Sequence, residues 1–191
     1  MKSALLLIDI QNDYFPGGRM ELVGPMDAAR HAYQLLQCFR EHGQYHVHIQ
    51  HVSTRPGATF FLPGDRGADI HDSVAHFEGE PLVLKHFPNA FRETNLLEQL
   101  RGQAIERLVI TGMMTHMCVD ATARAAVDLG FQVLVAQDAC ATRDLIYGAT
   151  TIPADHVHKA FLAALQSYGQ VLGSEQVLAK LAAELSDPAA R

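Results

Sequence analysis

Three residues far apart in the chain carry complementary chemistry: Asp9, Lys85 and Cys118. Cys118 lies in 111-TGMMTHMCVDATARAAVDLGF-131, between a strand-like run and a stretch with helical spacing. A thiol at a helix start is favoured as thiolate by free N–H groups and the positive end of the helix dipole. Asp9 follows the apolar run 4-ALLLI-8, where a carboxylate needs a partner. Lys85 closes another strand-like run, 81-PLVLK-85. Together they supply a nucleophile, a base for its proton and a cation that favours the thiolate. Each has a plainer reading. Asp9 could cap a turn, Lys85 could snorkel to solvent and Cys118 could fill core as a small hydrophobe. Asp13 reads as a turn former.

The elements that position these residues alternate. Strands are expected at Ala4–Ile10, Tyr45–Val52, Pro81–Lys85, Arg107–Thr111, Phe131–Ala136 and Gln170–Leu172. Ala29, Ala32, Tyr33, Leu36 and Phe39 recur at helical spacing within Met26–Glu41, and Gly43 stands where glycine ends helices. Thr94 is expected to cap a short helix through Leu100. A further helix follows Pro153, and Ser174 caps a last one through Leu185. The stretch Ser53–Glu80 is too long for a plain connection, and such loops are usually functional. The tail 186-SDPAAR-191 is expected to fray. The pattern implies an α/β fold, a three-layer sandwich with a six-stranded, mostly parallel sheet and helices on both faces. One domain over 1–191 is expected. In such sheets ligands bind beyond the carboxyl ends of the strands, which is where Asp9, Lys85 and Cys118 fall.

Composition narrows the partners. A formal net charge of −6 with no basic cluster speaks against nucleic acid. The longest apolar run, Ala4–Ile8, is too short for a membrane span, and Asp9 interrupts it too early for a secretory signal. Three cysteines, Cys38, Cys118 and Cys140, have no framework spacing, so a reduced, cytoplasmic chain is expected. Eleven histidines invite a metal reading, but His46 and His48, on one strand face, find no third ligand at a set spacing, and His156 and His158 diverge on a helix.

The blocks 5-LLLIDIQNDYF-15, 83-VLKHFPNAF-91 and 110-ITGMMTHMCVDATARAAVDLGFQVLVAQDACAT-142 resemble the isochorismatase-like cysteine hydrolases, which include nicotinamidases and ureidoacrylate and biuret amidohydrolases. The resemblance places Asp9, Lys85 and Cys118 at the family's catalytic triad. It implies a cis peptide at Met113–Met114, with the N–H groups of Met114 and Cys118 as an oxyanion hole. It implies amide hydrolysis through a Cys118 thioester. Isochorismatase proper cleaves a vinyl ether without a nucleophilic cysteine, so Cys118 points away from that activity. Nicotinamidases hold a metal with an Asp-x-His pair and a further His; here His51, Ser53 and His71 fall at those places, a poor ligand set, so no metal and no cofactor are expected. Arg55, Phe60, Phe61, Phe87 and Phe91 are candidates for a small-molecule pocket, with Phe15 and Met114 nearer the chemistry; Arg55 would suit a substrate carboxylate. The resemblance also implies a homo-oligomer. Two other readings stay open: a nicotinamidase-type enzyme with an unusual metal site, and a non-catalytic binding protein with a redox-sensitive thiol.

Overall fold

The computed structural model describes residues 1–186. Its elements run β1 (Ser3–Ile8), α1 (Pro25–Glu41), β2 (Tyr45–His51), β3 (Leu82–Lys85), α2 (Leu96–Gly102), β4 (Arg107–Met113), α3 (Asp120–Asp128), β5 (Gln132–Ala141), β6 (Leu145–Tyr147), β7 (Thr150–Ile152), α4 (Ala154–Leu165), β8 (Gln170–Leu172) and α5 (Ser174–Ser186). Six strands form one sheet in the order β3-β2-β1-β4-β5-β8, every neighbouring pair parallel. The small pair β6–β7 is an antiparallel hairpin beside it. Both the architecture and the six sheet strands agree with the expected fold.

β1 is continuous in hydrophobicity because both of its faces are covered. Leu5 and Leu7 pack into one core with Ala29, Ala32, Leu36 and Phe39 of α1 and Val177 and Leu181 of α5. Ala4, Leu6 and Ile8 point the other way, into a second core with Leu96 and Leu100 of α2, Ala123 and Ala126 of α3 and Leu162 and Leu165 of α4. The period of two along the strand thus divides the helices into two layers. No helix among the described residues is long and apolar enough to cross a membrane.

Several local expectations need correction. β4 and β5 run past their expected ends, to Met113 and Ala141, because they keep pairing beyond an irregularity between Ile110 and Gly112. The hairpin β6–β7 has no periodic apolar signal; its tip residues Ile146 and Tyr147 are exposed. Ser174 does not cap α5 with its side chain. Its hydroxyl donates to Asp138 Oδ2 at 2.9 Å and meets His31 Nδ1 at 2.8 Å, while Gln176 reaches back to the Gly173 N–H at 2.9 Å. Gly43 has φ +59, as a left-handed helix end requires. Thr94 Oγ1 does accept the Leu96 N–H at the start of α2. Residues 187–191, most of the expected frayed tail, lie outside the described residues.

His46 and His48 also differ from the sequence reading, because the chain fold brings them further company. Glu80, just before β3, accepts from Arg40 Nε at 2.7 Å and Nη2 at 2.8 Å and lies 3.0 Å from His46 Nε2. His76 bonds the Glu80 carbonyl, and its ring stands edge-on to that of His48 at 5.2 Å. Arg40 holds Glu80 down to about 2 against the opposing effect of its burial. His48 is fully buried, and burial pushes it down to about 4 although Glu80 pulls it up. Between pH 6.5 and 4 the unfolded chain therefore binds a proton at this position that the folded chain refuses, so stability falls as pH falls. The full effect is about 3 kcal/mol. In urea titrations at pH 7 and pH 4.5, His48→Val is expected to lose less stability on acidification than wild type. An equal loss in both proteins contradicts the assignment.

Candidate active site

The strand order turns at β1 and β4, whose following connections run to opposite sides, and the crevice opens beyond their carboxyl ends. Asp9 is the first residue after β1. Its φ is +51, in the left-handed region that Asp tolerates better than bulky residues do. The Asp9 N–H donates to the Ile49 carbonyl of β2 at 3.0 Å, which ties down this conformation. Gly112 of β4 lies alongside at φ +124, and a Cβ there would run into the Ile8 backbone. Only glycine lets β4 approach so near to the root of Asp9.

Lys85 ends β3, in register with His51 at the end of β2. Its side chain has to pass the end of β2 to reach β1. Fully buried, Nζ donates to Asp9 Oδ2 at 2.7 Å and to Cys118 Sγ at 3.3 Å, and lies 2.9 Å from His51 Nδ1. Cys118 comes from the turn Thr115–Val119, wound wider than an α-helix, with the Val119 N–H donating to the Met114 carbonyl at 3.3 Å. The peptide Met113–Met114 before it is cis. Three distant parts of the chain therefore meet at one ammonium.

Charge within this group is decided by burial. Burial opposes a charge on Lys85, but Asp9 and Cys118 beside it together outweigh that effect and hold Lys85 above the ordinary lysine range. Burial pushes the Cys118 thiol up, and the Asp9 carboxylate adds to this more than Lys85 takes away. Burial and the Asp9 charge thus favour a protonated thiol beside the Lys85–Asp9 ion pair. Cys118 stands in the wide turn Thr115–Val119, which runs without a break into α3. His51 is pushed down to about 4, by burial first and by Lys85. Asp9 Oδ1 is buried with no hydrogen-bond partner among the described residues. A buried carboxylate oxygen without a donor, next to a protonated thiol, is placed to receive that proton.

A cavity of about 420 Å³ opens over Cys118. Tyr14, Phe60 and Phe61 form one wall, with Tyr14–Phe61 ring centroids 4.6 Å apart. Phe87 and Pro88 line it too, with Met114 and Met117 near the thiol; Arg55 and His86 are its exposed basic residues. Arg55, Phe60, Phe61, Phe87 and Met114 thus all line this cavity. Phe15 does not. The 3-10 turn Asn12–Tyr14 presents Tyr14 to the cavity, while Phe15 is buried against the His71 ring, stacked at 3.5 Å. Phe91 is outside as well, stacked on Phe131.

Asp13 does more than form a turn. Its Oδ1 accepts the Arg19 N–H at 3.2 Å and its Oδ2 the Phe61 N–H at 2.6 Å. Phe61 has φ +53, so an acid from the β1 loop holds a strained aromatic in the cavity wall. Gln11, fully buried, accepts the His51 N–H at 2.8 Å and donates to the His51 carbonyl at 2.9 Å. These roles were missed, although the run of polar residues 11-QND-13 after a buried strand was a signal for them.

The three positions matching the nicotinamidase metal ligands, His51, Ser53 and His71, do not converge on one point. His51 and Ser53 line the cavity, but His71 Nδ1 is engaged with Ser73 and its ring with Phe15. Donor atoms of Asp9, His51 and Cys118 do lie within 4.8 Å of one another. The Lys85 ammonium contacts all three, so a metal ion would have to share their centre with a permanent positive charge. The residues do not fit a bound metal.

The isochorismatase domain profile matches residues 3–176. The isochorismatase family protein YddQ of Bacillus subtilis is 46% identical over 179 residues, covering 93% of this chain and 99% of that protein. The crystal structure of an isochorismatase-family chain from Oleispira antarctica has a TM-score of 0.88 at 50% identity, covering 93% of this chain and 96% of that one. The maleamate amidohydrolase of Pseudomonas putida is 28% identical over 156 residues, 74% of this chain and 73% of that protein. With its parallel sheet and nearly its whole length matched, the chain belongs to the isochorismatase family.

Proposed function

We propose that this protein hydrolyses the C–N bond of a small amide through a thioester on Cys118. One observation carries the reading: a buried ammonium, Lys85 Nζ, lies 2.7 Å from a carboxylate and 3.3 Å from a thiol at the floor of a cavity. A relative named as a maleamate amidohydrolase supports it.

In the proposed course, the substrate carbonyl settles over Sγ and Asp9 Oδ1 takes the thiol proton. Sulfur forms a bond to the carbonyl carbon, and the oxyanion accepts hydrogen bonds from the Met114 and Cys118 N–H groups. Lys85 offsets the negative charge as it moves from sulfur to oxygen. The C–N bond then breaks, with Asp9 returning its proton to the leaving nitrogen. A water gives a proton to Asp9 and attacks the thioester; the C–S bond breaks, the acid is released, and Asp9 passes its proton to sulfur, restoring the thiol. The cavity favours a small, partly planar substrate between Phe61 and Phe87, and exposed Arg55 suits an anionic group at the mouth. We place the chain in a reducing compartment, the cytoplasm, since all three cysteines are free. Assembly of several copies is part of the same proposal.

Ammonia release from nicotinamide, ureidoacrylate, biuret and N-carbamoyl compounds tests the reading. The best of these is expected to lose at least about 10³-fold in rate with Cys118→Ala. Unchanged turnover in that variant would refute the thioester scheme.

Asp9 offers a sharper test, because its two effects have opposite signs. Its charge keeps the thiol protonated at rest, and its oxygen is the base during turnover. Asp9→Asn is therefore expected to lose about 10²- to 10⁴-fold in turnover while its Cys118 reacts faster with iodoacetamide at pH 7.5 than in wild type. Slower alkylation in a folded Asp9→Asn protein would show that Asp9 does not hold the proton on sulfur.

A further inference from the structure

His51 stands between Lys85 and the cavity, and the scheme above leaves it without a task. Its place is set by the sheet: β2 lies between β3 and β1, so the Lys85 side chain passes its last residue on the way to Asp9. Its backbone is clamped on both sides by Gln11, and its ring rests against Phe61 with centroids 5.9 Å apart. The side chain is thus held in one orientation.

The ammonium settles which ring nitrogen carries hydrogen. A lysine ammonium has three hydrogens and no acceptor. Nζ has three neighbours, Asp9 Oδ2, Cys118 Sγ and His51 Nδ1. Each takes one hydrogen, so Nδ1 must be an acceptor and the hydrogen of the imidazole is on Nε2. With Nδ1 turned to Lys85, the edge bearing Nε2 is the one left to the cavity that His51 lines. Nε2 has no hydrogen-bond partner among the described residues. The low proton affinity of the ring, which titrates near 4, agrees with a neutral side chain at pH 7.

We propose that His51 is a specificity-determining residue: Lys85 fixes its tautomer, and its Nε2–H donates a hydrogen bond to an acceptor atom on the group next to the carbonyl that Cys118 attacks. The substrate class that follows is an amide with a second carbonyl or other acceptor close to the scissile one, as in biuret and N-carbamoyl amino acids. Simple alkyl amides leave this donor unpaired in a partly buried site and are disfavoured. This proposal rests on the amide-hydrolase reading for its substrate, but not for its tautomer.

Two measurements test it, and they fail separately. Imidazole ¹⁵N spectra of the labelled protein at pH 7, with His51→Asn to assign the signal, are expected to show His51 protonated at Nε2 and bare at Nδ1. An Nδ1–H tautomer or a cationic ring would overturn the proposal whatever the enzyme hydrolyses. The second measurement compares His51→Asn with His51→Gln. Asn keeps an acceptor near the Nδ1 position for Lys85 but has nothing at Nε2; Gln reaches the Nε2 position and lacks the other.

For His51→Asn, melting temperature and iodoacetamide rate are expected to stay near wild type. Its kcat/KM for biuret is expected to fall 10- to 100-fold, with a much smaller change for N-ethylurea, in which a methylene and a methyl stand in place of the second carbonyl and its amino group. His51→Gln is expected to recover part of the biuret preference. Equal loss on both compounds, or none on either, would mean that His51 only completes the surroundings of Lys85. If wild type releases no Cys118-dependent ammonia, the same pair is compared by protection of Cys118 from alkylation. Biuret is then expected to protect wild type at least 10-fold better than His51→Asn, and equal protection overturns the donor role. Loss of the hydrolase reading would show instead as Cys118→Ala turning over at the wild-type rate.

Discussion

A positive charge with no access to water governs this site. Lys85 is buried to 0% exposure, and a lone ammonium there would cost several kcal/mol. It is tolerated because each of its hydrogens meets an acceptor: a carboxylate, a thiol sulfur and an imidazole nitrogen. The protonation states of those neighbours then follow. Burial favours the proton on sulfur, and Asp9, the counter-charge to Lys85, adds to that effect. Burial, with Lys85 acting in the same direction, keeps the His51 imidazole neutral. The group at rest is electrically balanced, and any chemistry at Cys118 has to begin by moving one proton within it.

The scaffold makes this arrangement reproducible. Four adjacent strands, β3, β2, β1 and β4, deliver Lys85, His51, Asp9 and the turn holding Cys118 at their carboxyl ends. Parallel pairing with both faces buried keeps those ends level, so small side-chain reach is enough to close the group. Gly112 sets the spacing between β1 and β4, and Gln11 sews the end of β1 to the end of β2. Asp13 then fastens the long loop by way of Phe61. The run from Asp9 to Asp13 is thus a sequence of alternating tasks, with chemistry at one end and wall-building at the other.

The cavity also qualifies what the overall charge says. The chain carries a formal −6, yet the residues lining the cavity include Arg55, His51 and His86 and no carboxylate. Local composition, and not the sum, decides what can enter. A neutral or anionic molecule meets no like charge on its way to Cys118, and the buried Asp9 is screened by Lys85.

Much of this was legible without coordinates. Continuous apolar runs and helical spacings determined the strand and helix order, since burial on both faces leaves a periodic record in the residues themselves. Asp9, Lys85 and Cys118 stood out because a carboxylate, an amine and a thiol at strand ends are not explained by packing. Other features left no such record. Phe15 and Tyr14 are neighbours of similar type, and only the 3-10 turn decides that Tyr14 faces the cavity while Phe15 stacks on His71. Phe61 and Phe91 look alike in the sequence, but one is held by Asp13 and the other lies in the opposite core. Cys118 as a resting thiol, and His51 as a neighbour of Lys85 instead of a metal ligand, depend on distances of a few ångströms between residues dozens of positions apart. Residue type and spacing determined which groups were available for chemistry; their protonation and their partners were decided by the tertiary structure, because electrostatic interaction and desolvation act through space and not along the chain.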